Sequence, residues 1–229
     1  MSVKGHHRIN KLLVKWTIYF TGLLIMALGI VLIIKADLGA SPWDVLHIGL
    51  FKQIGFTIGT WSILVGFVIL GISSIMLKAL PQLGAFLNML TVGVFIDMYM
   101  AIPFLVTPGA ILGKVLMLLI GIIVSGYGIG IYISSRCGAG PRDSLMIALT
   151  EKTGMKVQYI RAIMEIVVLS IGWLLGGPVF IGTVIFSFTI GIIVGYTLPR
   201  CQMIADNLMN KGSKQPEQVI HFDHFSNSN

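Results

Sequence analysis

Residues 36–46 read ADLGASPWDVL and residues 135–145 read SRCGAGPRDSL, and these two related stretches decide the fold. Both predict the start of a helix, because a small or hydroxyl residue precedes Pro and an Asp follows Pro two positions later. An Asp at that position faces the positive end of the helix dipole. The predicted N-cap, first and third helical positions are Ser41, Pro42 and Asp44 in one stretch and Gly140, Pro141 and Asp143 in the other. Gly39 and Gly138, just before these starts, allow a tight reversal of the chain.

The sequence around these stretches is strongly apolar. Of the 229 residues, 55% are hydrophobic and 11% are Asp, Glu, Lys or Arg, and the mean hydropathy is +0.91. This composition excludes a water-soluble enzyme, in which about 25% of residues are charged. Windows of about 19 residues predict six transmembrane helices at Trp16–Ile34, Thr57–Leu77, Leu83–Leu105, Ile111–Ser134, Val157–Leu175 and Val179–Leu198.

The helix that starts at Pro42 is predicted to end near Ile54. This segment is too short to cross about 30 Å of hydrocarbon. We therefore expect a half-helix that is re-entrant or lies at the membrane interface.

The two halves of the membrane region are related in sequence. A shift of 99 residues places Gly22 on Gly121, Gly29 on Gly128, Gly39 on Gly138, Gly55 on Gly154, Pro42 on Pro141 and Asp44 on Asp143. A shift of 98 then places Gly84 on Gly182 and Gly93 on Gly191. Each copy contains three spans, an odd number, so the second copy is expected to lie upside down relative to the first. The expected fold is an all-α membrane protein of two inverted three-helix repeats, each with a half-helix after its first span.

The distribution of basic residues predicts the topology. With both termini inside, 13 of the 16 Lys and Arg residues fall in or next to cytoplasmic regions, as the positive-inside rule favours. The expected segments are a basic cytoplasmic N-terminus at 1–15, the repeats at 16–105 and 106–199, and a polar, disordered cytoplasmic tail at 200–229.

Two interpretations of the paired helix starts stay open. In one, they are only well-capped half-helices. In the other, they line a central solute site, because an Asp at membrane depth costs about 2.5–3.5 kcal/mol on insertion scales. The candidate solute-binding residues are Ser41, Trp43, Asp44, Asp97, Arg142 and Asp143. Arg161 and Glu165, four residues apart, can meet on one helix face, where we expect a structural ion pair, with gating or proton coupling as the alternative.

Other chemistries find little support in the sequence. No Ser-His-Asp set, metal cluster or phosphate loop occurs at useful spacing, so we expect no enzyme activity, cofactor or metal. His221 and His224 in the tail are interpreted as solvated residues, and no nucleic-acid surface is expected. Besides lipid and an unknown small solute, a second copy of the chain is a candidate partner. The glycine faces Gly172/Gly176 and Gly191/Gly195 are expected to form close helix contacts, either within one subunit or with that second copy.

The stretch ADLGASPWDVLHIGL, followed by Gly55 and Gly59, and the later GAGPRDSLM resemble the YczE/YitT-type family of bacterial integral membrane proteins. The resemblance implies a multi-pass protein of the bacterial inner membrane. It implies little about activity. The function expected from the residues is a small-solute transporter or permeation protein, with a non-transporting partner or regulator of another membrane complex as the alternative.

Overall fold

The computed structural model describes residues 3–138 and 140–211, which form eight α-helices and no strand. The helices are α1 (Val3–Ala36), α2 (Pro42–Ile54), α3 (Ile58–Leu77), α4 (Leu83–Met100), α5 (Ile111–Ser134), α6 (Pro141–Thr153), α7 (Val157–Leu174) and α8 (Ile181–Lys211). Six of them, α1, α3, α4, α5, α7 and α8, are long and apolar enough to span a membrane. The predicted number of spans is therefore confirmed.

Helices α2 and α6 contain 13 residues each. At 1.5 Å per residue they are about 20 Å long, shorter than the hydrocarbon core. Both begin at the predicted Pro. Ser41 caps α2, because its Oγ accepts a hydrogen bond from the backbone N–H of Asp44 at 3.2 Å. Gly140 is the N-cap of α6 and supplies no side-chain cap.

Helices α1 and α8 extend further than predicted. Helix α1 starts at Val3, so the basic N-terminal segment continues the first span. Helix α8 runs through Pro199 to Lys211, so the expectation of a disordered tail is wrong for residues 200–211. The extension is held by packing, since Cys201 and Ala205 are buried. It is also held by an ion pair between Arg136 Nη2 and Asp206 Oδ2 at 3.2 Å. The predicted tail beyond residue 211, with His221 and His224, lies outside the described residues.

Helices α1 and α5 form the centre of the molecule and run antiparallel. Gly22 faces Tyr132, Gly29 faces Ser125 and Gly121 faces Ile33. As the residue number increases along α1, the number of the facing residue on α5 therefore decreases. The backbones approach so closely that a Cβ at these glycines would overlap the opposite helix. Glycine is required here for the close approach of the two helices.

These contacts occur in pairs related by the offset seen in the sequence. The contact of Gly22 with Tyr132 corresponds to that of Gly121 with Ile33, and the contact of Gly29 with Ser125 corresponds to that of Gly128 with Met26. The loops before α2 and α6 also make a pair of contacts related by this offset. The N–H of Gly182 donates to Leu38 O at 2.7 Å, and Gly84 lies against Cys137 O.

Each half-helix packs on the opposite half of the chain. Helix α2 lies against α7, and α6 lies against α3. Gly49 on α2 and Gly172 on α7 allow these two helices to approach closely. The Gly172 face therefore packs within one chain. Gly191 and Gly195 lie on α8 with no heavy atom of the described chain within 4 Å of an added Cβ. Because each half-helix packs on a helix of the other half, both helix starts lie in the interior, beside α1 and α5.

Candidate functional site

A cavity of about 220 Å³ lies where the starts of α2 and α6 meet. Both predicted starts contribute to its wall, with Ser41, Pro42, Trp43 and Asp44 from α2 and Gly140, Pro141, Arg142 and Asp143 from α6. The exchanged packing of the half-helices therefore joins two motifs that lie 99 residues apart in the sequence. Gly39 and Gly138, with φ of 109° and 144°, make the reversals that aim both starts inward.

On the α2 side, the cavity wall contains an almost completely buried acidic side chain. Asp44 is 1% exposed. Its Oδ2 accepts a hydrogen bond from the Ser41 hydroxyl. Its Oδ1 has no hydrogen-bond partner in the described part of the chain. His47, one turn further along α2, is also buried, and its Nδ1 lies 3.7 Å from Asp44 Oδ1, beyond hydrogen-bond distance.

The α6 side carries the cationic group. The guanidinium carbon of Arg142 lies 4.8 Å from the centre of the Trp43 ring, a cation–π contact that joins the two helix starts. Among the described residues, Arg142 has neither a hydrogen-bond partner nor an ion-pair partner within 4.0 Å. Asp143 Oδ2 faces the Tyr132 hydroxyl at 3.4 Å, a weak hydrogen bond. Arg142 and Trp43 therefore form a direct contact between the two halves at the cavity.

Further polar side chains of the cavity wall come from α4 and α7. Asn88 on α4 is buried, lines the cavity beside Gly140, and has an Nδ2 without a partner in the described residues. Arg161 and Glu165 on α7 also line the cavity and form an ion pair, with 3.1 Å between Nε and Oε1. Ser62, Ser125 and Tyr132 add hydroxyl groups to the wall. The apolar lining includes Ile30, Ile69, Met89, Val92, Ile96, Ile129, Phe186 and Ile190.

The structure places Asp97 away from this cavity, unlike the sequence-based hypothesis. Its carboxylate accepts hydrogen bonds from the Thr57 hydroxyl at 2.5 Å and from the Gly59 N–H at 2.9 Å. Both groups belong to the start of α3, so Asp97 satisfies N–H and O–H donors at a helix N-terminus. Its physical role is that of a helix cap supplied by the neighbouring helix.

The sequence-based candidates did not include His47, Asn88 and Tyr132, which are polar residues that line the cavity. Asn88 could have been identified from the sequence, since it is an amide inside an apolar span, where polar side chains are costly. The position of Tyr132 depends on the α1–α5 contact, which local sequence does not encode. Among the residues that the structure describes, no three His, Cys, Asp or Glu side chains come together as a metal site.

The sequence comparisons identify three relatives, of which one is named as a membrane protein and all are named as uncharacterized. The chain is 44% identical over 193 residues to the "Uncharacterized membrane protein YczE" of Bacillus subtilis, covering 83% of this chain and 88% of the relative. It is 35% identical over 182 residues to an "Uncharacterized protein" of Haemophilus influenzae, covering 80% and 82%. It is 28% identical over 186 residues to "Uncharacterized protein YyaS" of Bacillus subtilis, covering 81% and 92%. No solved structure matches the chain.

The resemblance inferred from the paired Pro and Asp motifs is confirmed by these relatives. The family model of DUF6198 matches residues 13–199, which include all six spans in part or whole and both half-helices. The chain is therefore a multi-pass membrane protein that belongs to the family of unknown function DUF6198.

Proposed function

We propose that this protein is a small-solute transporter or permeation protein whose central site is the cavity between the starts of α2 and α6. One observation carries the proposal: Asp44 Oδ1 and Asn88 Nδ2 are buried, line the cavity and have no hydrogen-bond partner in the described chain. An unpaired buried polar atom costs about 1–3 kcal/mol. A solute that supplies the missing partners would recover that free energy.

Helix capping by itself does not account for this arrangement. Capping explains Ser41 and one oxygen of Asp44. It does not explain a second Asp44 oxygen without a partner, or an Arg142 side chain stacked on Trp43 rather than on a carboxylate. Ionisable groups inside a membrane protein usually face a cavity or a pathway.

The proposal includes two inverted halves with both termini in the cytoplasm. The paired contacts of α1 with α5 support it, because equivalent helices that run antiparallel cross the membrane in opposite directions. Inverted halves place one half-helix on each side of a site at mid-membrane, as in many secondary transporters. The excess of Lys and Arg in the predicted cytoplasmic regions supports the orientation. The open Gly191 and Gly195 face would allow packing of a second copy, although the site is complete within one chain.

Labelling of single cysteines in intact cells tests the orientation. Cys137 and Cys201 are replaced, and one cysteine is placed at Ser41 or at Gly140. We expect a membrane-impermeant reagent to reach position 41 from outside and position 140 only after the inner face is exposed. Labelling of both positions from the same side would refute the inverted arrangement.

Flux into proteoliposomes tests transport itself. Vesicle volume is followed by light scattering after mixing with single small neutral, zwitterionic, cationic or anionic solutes. We expect flux of at least one class, lost in Asp44→Asn and Asp143→Asn with the folded protein retained. Asp206→Asn, which removes an ion pair outside the cavity, is the matched control with unchanged flux. Flux of no class, with a stoichiometric protein partner recovered from the membrane, would favour the non-transporting alternative.

A further inference from the structure

We infer that the central cavity selects a small zwitterion, a solute with one ammonium and one carboxylate group. The ammonium binds at Asp44, and the carboxylate binds at the start of α6 beside Arg142 and Asn88. This inference rests on the proposed transport function and names the chemical class of its substrate. It follows from a difference between the two helix starts: among the described residues, the start of α2 has an acceptor without a donor, and the start of α6 has donors without an acceptor.

The start of α2 provides an acceptor for a cationic donor. Ser41 supplies the cap for the Asp44 N–H and also bonds Asp44 Oδ2, so this helix start has its own internal anion. Asp143 lies at the matching position of α6, but its Oδ2 faces the Tyr132 hydroxyl at 3.4 Å and no α6 side chain caps that helix start. Asp44 Oδ1 accepts no hydrogen bond from the described residues, and the His47 Nδ1 that faces it lies 3.7 Å away, beyond hydrogen-bond distance. An ammonium group supplies both the missing donor and the opposite charge.

The start of α6 provides donors for an anion. Gly140 has no side chain to cap the helix, and the first N–H bonded within the helix is that of Ser144, to Gly140 O. Anions bind at such helix starts because the free N–H groups point outward from the positive end of the dipole. Two further donors lie there in the described chain: the Arg142 guanidinium and the buried Asn88 Nδ2, which has no acceptor. A carboxylate matches these donors.

The contact between Trp43 and Arg142 makes the two subsites neighbours. Trp43 directly precedes Asp44 in the chain, and the Arg142 guanidinium lies over its ring. The acceptor at Asp44 and the donors at Arg142 are therefore on adjoining parts of one cavity wall. At about 220 Å³ the cavity is smaller than the roughly 300–1,000 Å³ typical of drug-sized ligands. The occupant has few heavy atoms and both charges.

The other charged cavity residues have partners within the protein. Arg161 and Glu165 pair with each other at 3.1 Å. Asp143 faces the Tyr132 hydroxyl at 3.4 Å. At the two helix starts, Asp44 Oδ1 has no hydrogen-bond partner in the described chain, and the Arg142 guanidinium has neither a hydrogen-bond partner nor an ion-pair partner there. Their signs are opposite, which is the complement of a zwitterion.

Binding of minimal solutes to the purified full-length protein tests the inference. Glycine and β-alanine are the zwitterions, and methylammonium and acetate carry the single charges. Equilibrium dialysis gives the Kd, and thermal unfolding gives an independent shift in Tm. We expect at least one zwitterion to bind saturably, about tenfold or more tightly than either singly charged solute, since a hydrogen bond to a charged group contributes that much.

Two variants assign the two ends of the solute. Asp44→Asn is expected to reduce zwitterion affinity to that of acetate. Arg142→Gln is expected to reduce it to that of methylammonium and to leave methylammonium binding in place. Asp206→Asn is the control with unchanged affinity for all four solutes. Acetate or methylammonium binding as tightly as the zwitterions would overturn the inference, as would the absence of binding by both zwitterions.

The outcomes separate this inference from the transport proposal. Flux of another solute class without zwitterion binding would overturn the zwitterion assignment and leave transport standing. Zwitterion binding that both variants weaken, without flux of any solute into proteoliposomes, would overturn transport and leave the assignment of the binding site standing.

Discussion

Alanine substitution of paired glycines gives a direct measure of the α1–α5 contact. A Cβ at Gly29 would lie 2.6 Å from the Cα of Ser125, and a Cβ at Gly128 would lie 2.5 Å from the Cα of Met26. Carbon atoms pack at about 3.5–4.0 Å. Either substitution therefore requires the two backbones to separate locally by about 1 Å.

The magnitude follows from that separation. A gap of this size forfeits about a quarter to a half of the dispersion energy between the atoms involved. Overpacked positions usually lose about 1–3 kcal/mol, and alanine regains up to about 1 kcal/mol of helix propensity over glycine. We expect Gly29→Ala and Gly128→Ala each to lower the free energy of unfolding by about 2 kcal/mol. Their effects should be similar because the two contacts are equivalent.

The assay is unfolding of the purified protein in mixed micelles, with Gly191→Ala as the matched control. An added Cβ at Gly191 meets no heavy atom of the described chain within 4 Å, so that variant should be as stable as the parent or slightly more stable. If Gly29→Ala were as stable as Gly191→Ala, the close approach of α1 and α5 would be refuted. If Gly29→Ala and Gly128→Ala differed widely, the equivalence of the paired contacts would be refuted.

Two further predictions concern helix ends. Asp97→Ala removes the acceptor for the Thr57 hydroxyl and the Gly59 N–H, and should lower the free energy of unfolding by about 1–2 kcal/mol. Solute flux per folded molecule should not change, and a selective loss of flux would return Asp97 to the pathway. Lys78 ends α3 in a left-handed conformation with φ of 50°. Lys78→Gly should raise the free energy of unfolding by about 0.5–1 kcal/mol, because glycine adopts that conformation without the Cβ clash. A lower Tm for this variant would contradict the assignment of strain to Lys78.

The membrane architecture could be predicted because its causes are local. Apolar length decides which segments can span a bilayer, and six helices meet that requirement in the structure as in the sequence. The starts at Pro42 and Pro141 could be placed to the residue, because capping chemistry depends on a few adjacent side chains. The end of α8 could not be predicted in this way. Its last turns depend on the buried Ala205 and on the contact of Asp206 with Arg136, from a distant part of the chain.

The composition of the site was partly predictable from the sequence. Ser41, Trp43, Asp44, Arg142 and Asp143 were identified because they belong to the repeated helix starts, and all five line the cavity. Asp97 was assigned a site role because it is a carboxylate in an apolar segment. That reasoning identifies a polar group that needs a partner but does not identify the partner, which is the start of α3.

The sequence by itself determined that this chain enters a membrane, how many times it can cross, and where its two short helices begin. These properties follow from hydrophobic length and from hydrogen bonds between near neighbours in the chain. Only the tertiary structure decided that α2 packs on α7 and α6 on α3, so that Trp43 meets Arg142 and Asn88 joins them. The physical reason is that close helix contact at glycines such as Gly29 and Gly172 depends on atoms far apart in sequence. The same contacts leave one oxygen of Asp44 and the Nδ2 of Asn88 without partners in the described chain, at the cavity between the two helix starts.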